Sequence, residues 1–200
     1  MKISVMMLGA LQTNCYLVYD ETTRNCAVID PGCDGDLIAK RLKEENLNLA
    51  MILLTHGHYD HIGGIEALRA NAQIPVYIHE KDCQLPLSMT HIPVFCTDTY
   101  ADGDKITMDS ITFQVLHTPG HSAGSVCLWA GDVLFTGDTL FRGSCGRTDF
   151  PTGSYAQMLQ SLARLYRLPG NLKVLPGHGE LSMLECEREK NPYMLEAVGA

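Results

Sequence analysis

The strongest constraint on the fold is a short polar stretch in which three imidazoles and one carboxylate fall within six residues: His56, His58, Asp60 and His61. It directly follows the apolar run 51–54, which is typical of an interior strand. A polar cluster at such a point predicts a loop at the carboxyl edge of a sheet, where ligands collect. Because the four residues are spaced two and one apart, we expect a loop rather than one helix face to gather them. Imidazole and carboxylate together favour zinc, iron or manganese over calcium or magnesium.

The bulk composition is that of a chain able to bury a substantial core. It has 200 residues, 46% of them hydrophobic, which fits one domain over 1–200. The net charge is -8 and the basic residues form no run, whereas a nucleic-acid surface needs a basic stripe. Two divalent cations would offset part of the negative charge. We therefore expect no nucleic-acid partner.

The cysteine pattern and the N-terminal stretch indicate the compartment. No two of the eight cysteines form a Cys-x-x-Cys pair, which predicts reduced thiols acting as small buried hydrophobes. The apolar stretch 3–11 follows Lys2 but lacks a small-x-small cleavage site, and no stretch approaches the length of a membrane span. We predict a cytoplasmic protein without membrane association. The sequence does not indicate an oligomeric state.

Apolar runs and amphipathic segments alternate along the chain. Strands are predicted over residues 2–8, 14–19, 26–29, 50–54, 74–78, 111–116 and 173–175. Helices are predicted over residues 34–46, 63–70 and 154–167, and over 183–195 with an interruption at Pro192. Asp34 or Asp36 could cap the first helix, and Ser154 the third. The runs 125–129 and 133–135 flank a Gly-Asp turn and predict a hairpin, while 80–105 is predicted to be rich in loops. This order indicates an α/β fold with helices covering the sheet faces.

Three further residues each follow an apolar strand and sit beside glycine: His121, Asp138 and His178. Strand ends from separate parts of the chain can deliver such residues to one sheet edge, and glycine lets the backbone approach closely. Together with the first cluster they make seven ligands, enough for two metals with open positions. Asp138 is the natural bridge, since a carboxylate offers one oxygen to each ion. His79 and His91 each stand alone, and we interpret them as structural or solvent-facing.

The His-x-His-x-Asp-His motif at 56–61, with the spacing to these three residues, resembles the metallo-β-lactamase superfamily. The resemblance runs from about residue 10 to the end of the chain. It implies an αββα sandwich of two mixed sheets with helices outside and two metals at one edge. It assigns one metal to His56, His58 and His121, the other to Asp60, His61 and His178, and Asp138 to both. Asp30, which could also be a turn-former before proline, matches the family's structural aspartate behind the metal site.

Within that superfamily, residues 134–150 and the Pro-Gly-His-Gly sequence at 176–179 resemble the short glyoxalase II-like hydrolases. Full-length glyoxalase II carries an additional C-terminal helical domain that helps hold glutathione, and we predict no such domain here. This departure concerns the thiol carrier rather than hydrolysis. Arg147 falls where glyoxalase II has a basic residue that helps bind the carrier, so it is a candidate carboxylate clamp. The alternative is a surface arginine paired with Asp149.

The predicted activity is metal-dependent hydrolysis of a small acyl thioester such as hydroxyacyl-glutathione. Two zinc ions, with iron or manganese as alternatives, would lower the pKa of a bridging water, and Asp60 would orient this nucleophile while holding the second metal. A thiol with a pKa of about 8.5 leaves as a thiolate without a strong general acid.

Two alternative activities remain open within the superfamily. One is a persulfide dioxygenase that uses a single iron bound by His56, His121 and Asp138, which the chain resembles at 146–150. The other is a lactonase or β-lactamase-type hydrolase, whose substrates differ only in the surrounding loops. Tyr59 lies near the site by position alone and has no assigned role.

Overall fold

Two mixed β-sheets form the centre of the structure, a computed structural model that describes residues 1–70 and 73–199. The first sheet has the order β1 (Lys2–Leu8), β2 (Thr13–Tyr19), β3 (Asn25–Ile29), β4 (Asn48–Leu53), β5 (Val76–His79) and β6 (Asp98–Tyr100). The second contains β7 (Lys105–Met108), β8 (Ile111–His117), β9 (Val126–Ala130), β10 (Val133–Gly137), β13 (Lys173–Pro176) and β14 (Ser182–Met183). Its spatial order is β14-β13-β10-β9-β8-β7. A two-stranded ribbon, β11 (Leu140–Phe141) with β12 (Ser144–Cys145), completes the strands of the described residues.

The helices of the described residues are α1 (Gly35–Glu44), α2 (Tyr59–Ile62), α3 (Ile65–Arg69), α4 (Leu87–Thr90), α5 (Tyr155–Tyr166), α6 (Leu184–Lys190) and α7 (Pro192–Val198). The longer helices lie on the outer faces of the two sheets, and the short helices α2 and α4 lie at the carboxyl edge. A 3₁₀ turn, Glu80–Asp82, follows β5. Helices α1 and α3 share an apolar cluster with the first sheet, and α5, α6 and α7 share another with the second. This is the predicted αββα sandwich.

Strand periodicity explains why the core divides between layers. In β2, Tyr16 and Val18 point into the cluster between the two sheets, whereas Cys15 and Leu17 point into the cluster beneath α1 and α3. Successive strand side chains face opposite sides, so a strand covered on both sides must be apolar throughout. Burying aliphatic side chains of this size contributes about 1.5–3 kcal/mol each. Three apolar clusters therefore stabilise the fold, one between the two sheets and one on the outer face of each sheet.

Strand direction brings the polar strand ends to one edge. Strands β3, β4 and β5 run parallel, so their carboxyl ends coincide. In the second sheet β10 pairs parallel with β13, and β8 points the same way because two antiparallel pairings through β9 separate them. The loops after these six strands meet at the carboxyl edge of both sheets, as predicted for ligand-bearing loops.

Several predicted boundaries and details were wrong. The helix predicted over 63–70 is shorter, Ile65–Arg69, and a separate short helix, α2, begins at Tyr59, inside the polar stretch that we expected to be a loop. Apolar spacing begins only at Ile62 and could not reveal this turn. Strand β6 lies within the segment predicted as loop-rich, because two of its three residues are exposed and give no apolar period. Asp34 stands at the start of α1 in the left-handed region (φ 59°) and does not cap it through its side chain.

Other details follow the expectations more closely. Ser154 accepts a hydrogen bond from the Gln157 backbone N–H and caps α5. Pro192 occupies the first turn of α7, where its missing N–H costs nothing. All eight cysteines are free thiols, but only Cys15, Cys26 and Cys127 are buried, so the expectation of uniform burial was wrong. Among the described residues, none of the helices combines the length and apolarity that a membrane crossing requires.

Candidate metal centre

Three predicted ligands form an all-imidazole group at the carboxyl edge, here called the nitrogen cluster: His56, His58 and His121. One ligand atom from each lies within 4.8 Å of the others. Nδ1 of His58 is 2.8 Å from Nε2 of His121. All three side chains are buried. The loop after β4 supplies two of them and the loop after β8 supplies the third, so the cluster joins the two sheets.

Three more predicted ligands form the mixed cluster, Asp60, His61 and His178, whose ligand atoms also lie within 4.8 Å of one another. Nε2 of His178 is 3.1 Å from Oδ2 of Asp60 and 3.3 Å from Nε2 of His61. Helix α2 carries the first two residues, and the turn after β13 carries the third. The side chains of Asp60 and His178 are 13% and 25% exposed, so this cluster opens toward solvent.

Asp138 lies between the two clusters. Its Oδ2 is 3.4 Å from Nε2 of His121 in the nitrogen cluster and 3.6 Å from Nε2 of His178 in the mixed cluster. Its Oδ1 is 3.5 Å from Nε2 of His61. The turn after β10 positions it there. The carboxylate therefore occupies the place that the sequence assigned to a bridging ligand.

The donor atoms fit two divalent cations. Nε2 of His56 and Oδ1 of Asp138 are buried without a hydrogen-bond partner, an arrangement that is costly unless another group binds them. A Cβ on Gly177 would lie 2.3 Å from Oδ1 of Asp138, so only glycine lets the backbone approach this carboxylate. Imidazole nitrogen and carboxylate oxygen suit zinc, iron and manganese.

Hydrogen bonds from the far side of each ring orient two histidines toward the centre. Nδ1 of His121 lies 2.8 Å from the carbonyl oxygen of Arg147, and Nδ1 of His178 lies 3.0 Å from that of Leu11. A carbonyl can only accept, so each Nδ1 carries a proton and Nε2 is the ring atom directed at the cluster, where it can bind a cation once it has lost any proton of its own. This is the second layer of contacts that metal-binding histidines need.

Asp30 lies behind the site, in the position that the resemblance implied. Its Oδ2 is 3.0 Å from Nδ1 of His61 and accepts a hydrogen bond of 2.6 Å from the Thr55 hydroxyl. The same hydroxyl is 3.1 Å from Nδ1 of His56. Asp30 thus links one histidine of each cluster while remaining fully buried.

The electrostatic environments of the two clusters differ. Burial, together with His121 and His61, lowers the pKa of His58 to about 3. In the mixed cluster burial acts in the same direction, but Asp30 and Asp138 outweigh it and raise the pKa of His61 to about 9. Burial likewise opposes ionisation of Asp60, yet the hydrogen bond from His178 holds the pKa of this carboxyl below its usual range. The mixed cluster therefore attracts positive charge, whether protons or a cation.

Asp82 is a positioning residue that the sequence did not reveal. Its buried carboxylate accepts hydrogen bonds from the Gly57 N–H at 3.0 Å, the Ser122 hydroxyl at 2.7 Å and the Gly124 N–H at 2.6 Å. It therefore ties the loop carrying His56 and His58 to the loop carrying His121. Burial raises the pKa of Asp82, although these hydrogen bonds oppose the rise. A lone aspartate after an apolar strand was the only available signal.

A cavity of about 650 Å³ opens above the clusters. Its walls are largely apolar and include Leu11, Tyr59, Met89, Phe141 and Phe150. Tyr59 stacks on His91 with ring centroids 4.1 Å apart, which places the unassigned tyrosine in the cavity wall. Of the two histidines interpreted as structural, His91 is exposed, and the other, His79, is buried and stacks on His117 at 4.2 Å.

Arg147 also lines this cavity but its guanidinium is engaged elsewhere. Its Nε and Nη2 each donate a hydrogen bond of 2.7 Å to the carboxylate of Asp149. The guanidinium also lies 4.2 Å from the ring centroid of Phe150. The structure thus places the predicted clamp at the cavity, paired with the residue named in the alternative interpretation.

Comparisons with known proteins agree with this arrangement. The model of the metallo-beta-lactamase superfamily matches residues 8–178. The chain is 34% identical to hydroxyacylglutathione hydrolase GloC of Haemophilus influenzae, over 97% of this chain and 98% of that protein. The crystal structure of BLEG-1 B3 metallo-beta-lactamase is 36% identical with a TM-score of 0.89, covering 96% of this chain and 99% of BLEG-1. TTHA1623 in a di-iron-bound form is also 36% identical, with a TM-score of 0.85 and coverage of 95% and 99%. The chain belongs to the metallo-β-lactamase superfamily.

Proposed function

We propose that this metal-dependent hydrolase cleaves small acyl thioesters such as hydroxyacyl-glutathione at a binuclear centre. The observation that carries the proposal is the position of Asp138 between two three-ligand clusters beneath one cavity. Two metals bound there leave coordination positions open to water and substrate. We expect zinc, and the test described below also measures iron because TTHA1623 has a di-iron-bound form.

When bound, the two cations supply a water of lowered pKa and a Lewis acid for a carbonyl oxygen. The residues of the chain hold and orient the reactants. Asp60 stays ionised because its pKa is held low, and it accepts a hydrogen bond of 3.0 Å from the Thr13 hydroxyl. Its remaining acceptor capacity can orient a water molecule at the floor of the cavity. This is the catalytic role that we assign to Asp60.

A thioester suits a cavity with these walls. Phe141, Phe150 and Met89 exclude water from the carbonyl group and strengthen electrostatic interactions at the floor. The leaving thiol has a pKa of about 8.5, so it departs as a thiolate with little help from a general acid. An amide or alkyl ester would need a proton on its leaving group and is a poorer match.

The similarity to GloC over nearly its whole length supports glutathione as the thiol carrier. Glutathione presents carboxylates, and Arg147 is the cationic side chain that lines the cavity among the described residues. We place a carrier carboxylate against Arg147, in exchange for part of its pairing with Asp149. The guanidinium fork matches either carboxylate in the same bidentate geometry.

The test is metal content per chain on protein purified without added metal, with hydrolysis of a hydroxyacyl-glutathione thioester assayed on the same sample. We expect about two zinc, iron or manganese ions per chain together with hydrolysis. One iron per chain, with oxygen consumed on a persulfide and no hydrolysis, would contradict the proposal and favour the dioxygenase. Hydrolysis of a lactone or β-lactam but not of the thioester would leave the metal centre intact and overturn the substrate class.

A further inference from the structure

Two thiols outside the metal centre lie almost in contact. Sγ of Cys83 is 3.4 Å from Sγ of Cys96, and both side chains are half-buried. A disulfide has an S–S length of about 2.05 Å, so a small movement of either side chain would allow the bond. Neither cysteine belongs to the candidate ligand groups.

The pair closes the base of a segment that forms one wall of the cavity. Between the two cysteines lies α4, which contributes Ser88 and Met89 to the lining. Within the described residues, the backbone N–H groups of this stretch bond locally, as from Met89 to Pro86 and from His91 to Leu87. Contacts with the body of the protein come from side chains, such as the stack of His91 on Tyr59. Between the two thiols, and in the part of the chain that the structure describes, the wall is therefore held by side-chain packing rather than by backbone hydrogen bonds to the sheets.

We propose that Cys83 and Cys96 are a reactive dithiol that small-molecule disulfides oxidise to an intrachain disulfide. The thiolate of Cys96 attacks one sulfur of the small disulfide, forms a mixed disulfide and releases one thiol. The sulfur of Cys83 then attacks that of Cys96 and releases the second thiol. The two cysteine protons end on the two released thiols, and the small disulfide is the oxidant.

The order of attack and the consequence follow from the surroundings. Burial, and then the hydrogen bond with Cys96, raise the pKa of Cys83 to about 12, which keeps it a thiol and makes it the second attacker. The disulfide closes the loop 83–96 and restricts the wall that carries Ser88 and Met89. This inference is independent of the proposed thioesterase activity.

The experiment treats the purified, metal-containing protein with oxidised glutathione, then quenches, alkylates and digests it with trypsin. Cys83 and Cys96 fall on one peptide, 82–105, because no Lys or Arg lies between Lys81 and Lys105. We expect this peptide to carry no alkyl group and to be two hydrogens lighter than the reduced, unalkylated peptide. After treatment with dithiothreitol it should carry two alkyl groups. Chymotryptic cleavage within 84–95 should slow roughly tenfold on oxidation and recover on reduction.

The main test needs no substitution, so it does not depend on the folding of a variant. The exposed Cys186 is the internal control, because it should form a mixed disulfide with one glutathione and no intrachain disulfide. Cys186→Ser should oxidise at the 82–105 peptide as before, whereas Cys96→Ser should lose the internal disulfide. The proposal is overturned if the 82–105 peptide stays doubly alkylated, or carries two glutathiones, under conditions that modify Cys186.

Discussion

The nitrogen cluster and the mixed cluster each contribute three ligands, yet they offer a cation different surroundings. His56, His58 and His121 are buried, and burial lowers the pKa of the first two, so they remain neutral and ready to ligate near neutral pH. The mixed cluster is more open, contains the Asp60 carboxylate and has a His61 whose pKa is raised to about 9. A cation must therefore displace a proton from His61 in the mixed cluster, whereas it meets no proton on His56 or His58 in the nitrogen cluster.

The difference teaches that equal ligand numbers need not give equal metal retention. The pKa of a histidine in the absence of a cation indicates how strongly protons compete with the cation for that side chain. We expect the mixed-cluster metal to be the more easily lost. Asp138, which lies close to both clusters, makes the two sites depend on each other.

The largest effect should come from Asp138→Ala, because it removes the ligand between the clusters. We expect both metals to be weakened and turnover to fall well beyond the roughly 100-fold typical of supporting residues, with the protein still folded. Metal analysis, steady-state kinetics and circular dichroism on one sample check this. An active Asp138→Ala variant with unchanged metal content would refute the bridging assignment.

Removing one histidine from each cluster sharpens the comparison. His58→Ala and His178→Ala should each leave about one metal per chain and abolish most turnover, since the proposed reaction needs both ions. We expect His178→Ala to retain its remaining metal more firmly, because the nitrogen cluster stays intact. Dialysis against a graded series of chelator concentrations measures this difference. Equal retention in the two variants would contradict the ranking of the clusters.

Substitutions of the supporting carboxylates should each affect mainly one cluster, with smaller losses of metal binding or activity. Asp82→Asn disturbs the loops that carry the nitrogen cluster, and Asp30→Asn disturbs the support of His61. Each should weaken metal binding or activity roughly 10–100-fold. Asp36→Asn, on the exposed side of α1, is the matched control and should change neither. An effect of Asp82→Asn no larger than that of the control would remove Asp82 from the positioning role.

Acidification should release the mixed-cluster metal first. The raised pKa of His61 means that this side chain holds a proton below about pH 9 when no cation is bound. Metal binding releases that proton, so affinity should fall by about tenfold for each pH unit below this value. The lowered pKa of His58 keeps this ligand of the nitrogen cluster unprotonated until far more acidic conditions. Metal content after equilibration between pH 8 and pH 5 tests the order, and simultaneous loss of both metals would argue against it.

Arg147→Ala should have the smallest effect, because the exposed guanidinium touches neither cluster. We expect an increase in KM for the thioester of about tenfold with little change in kcat, as uniform substrate binding requires. Asp149→Ala is the informative partner, since it frees Arg147 for the carrier and should lower KM. If KM is unchanged in both variants, Arg147 has no part in binding the carrier.

The fold was predictable where the sequence pattern repeats, and less so where contacts are distant or exposed. Apolar runs located β2 to β5 and the β9–β10 hairpin, because a strand covered on both faces must be apolar. The apolar run of β1 also located that strand, although much of it is exposed. Exposed Asp98 and Thr99 concealed β6, and the missing apolar period concealed α2. The seven ligand residues were named from strand ends and glycines, and their division between two metals came from the family resemblance.

By itself, the sequence determined the kinds of donor atom, their placement after strands and hence a candidate metal centre with nitrogen and oxygen ligands. Only the tertiary structure decided that Asp82, lying 42 positions before Gly124, would join two ligand loops, or that Arg147 would turn to Asp149. Ligand type is a local property of the residue. Contact between distant loops depends on strand direction and on the packing of two sheets, which no short stretch of the chain contains.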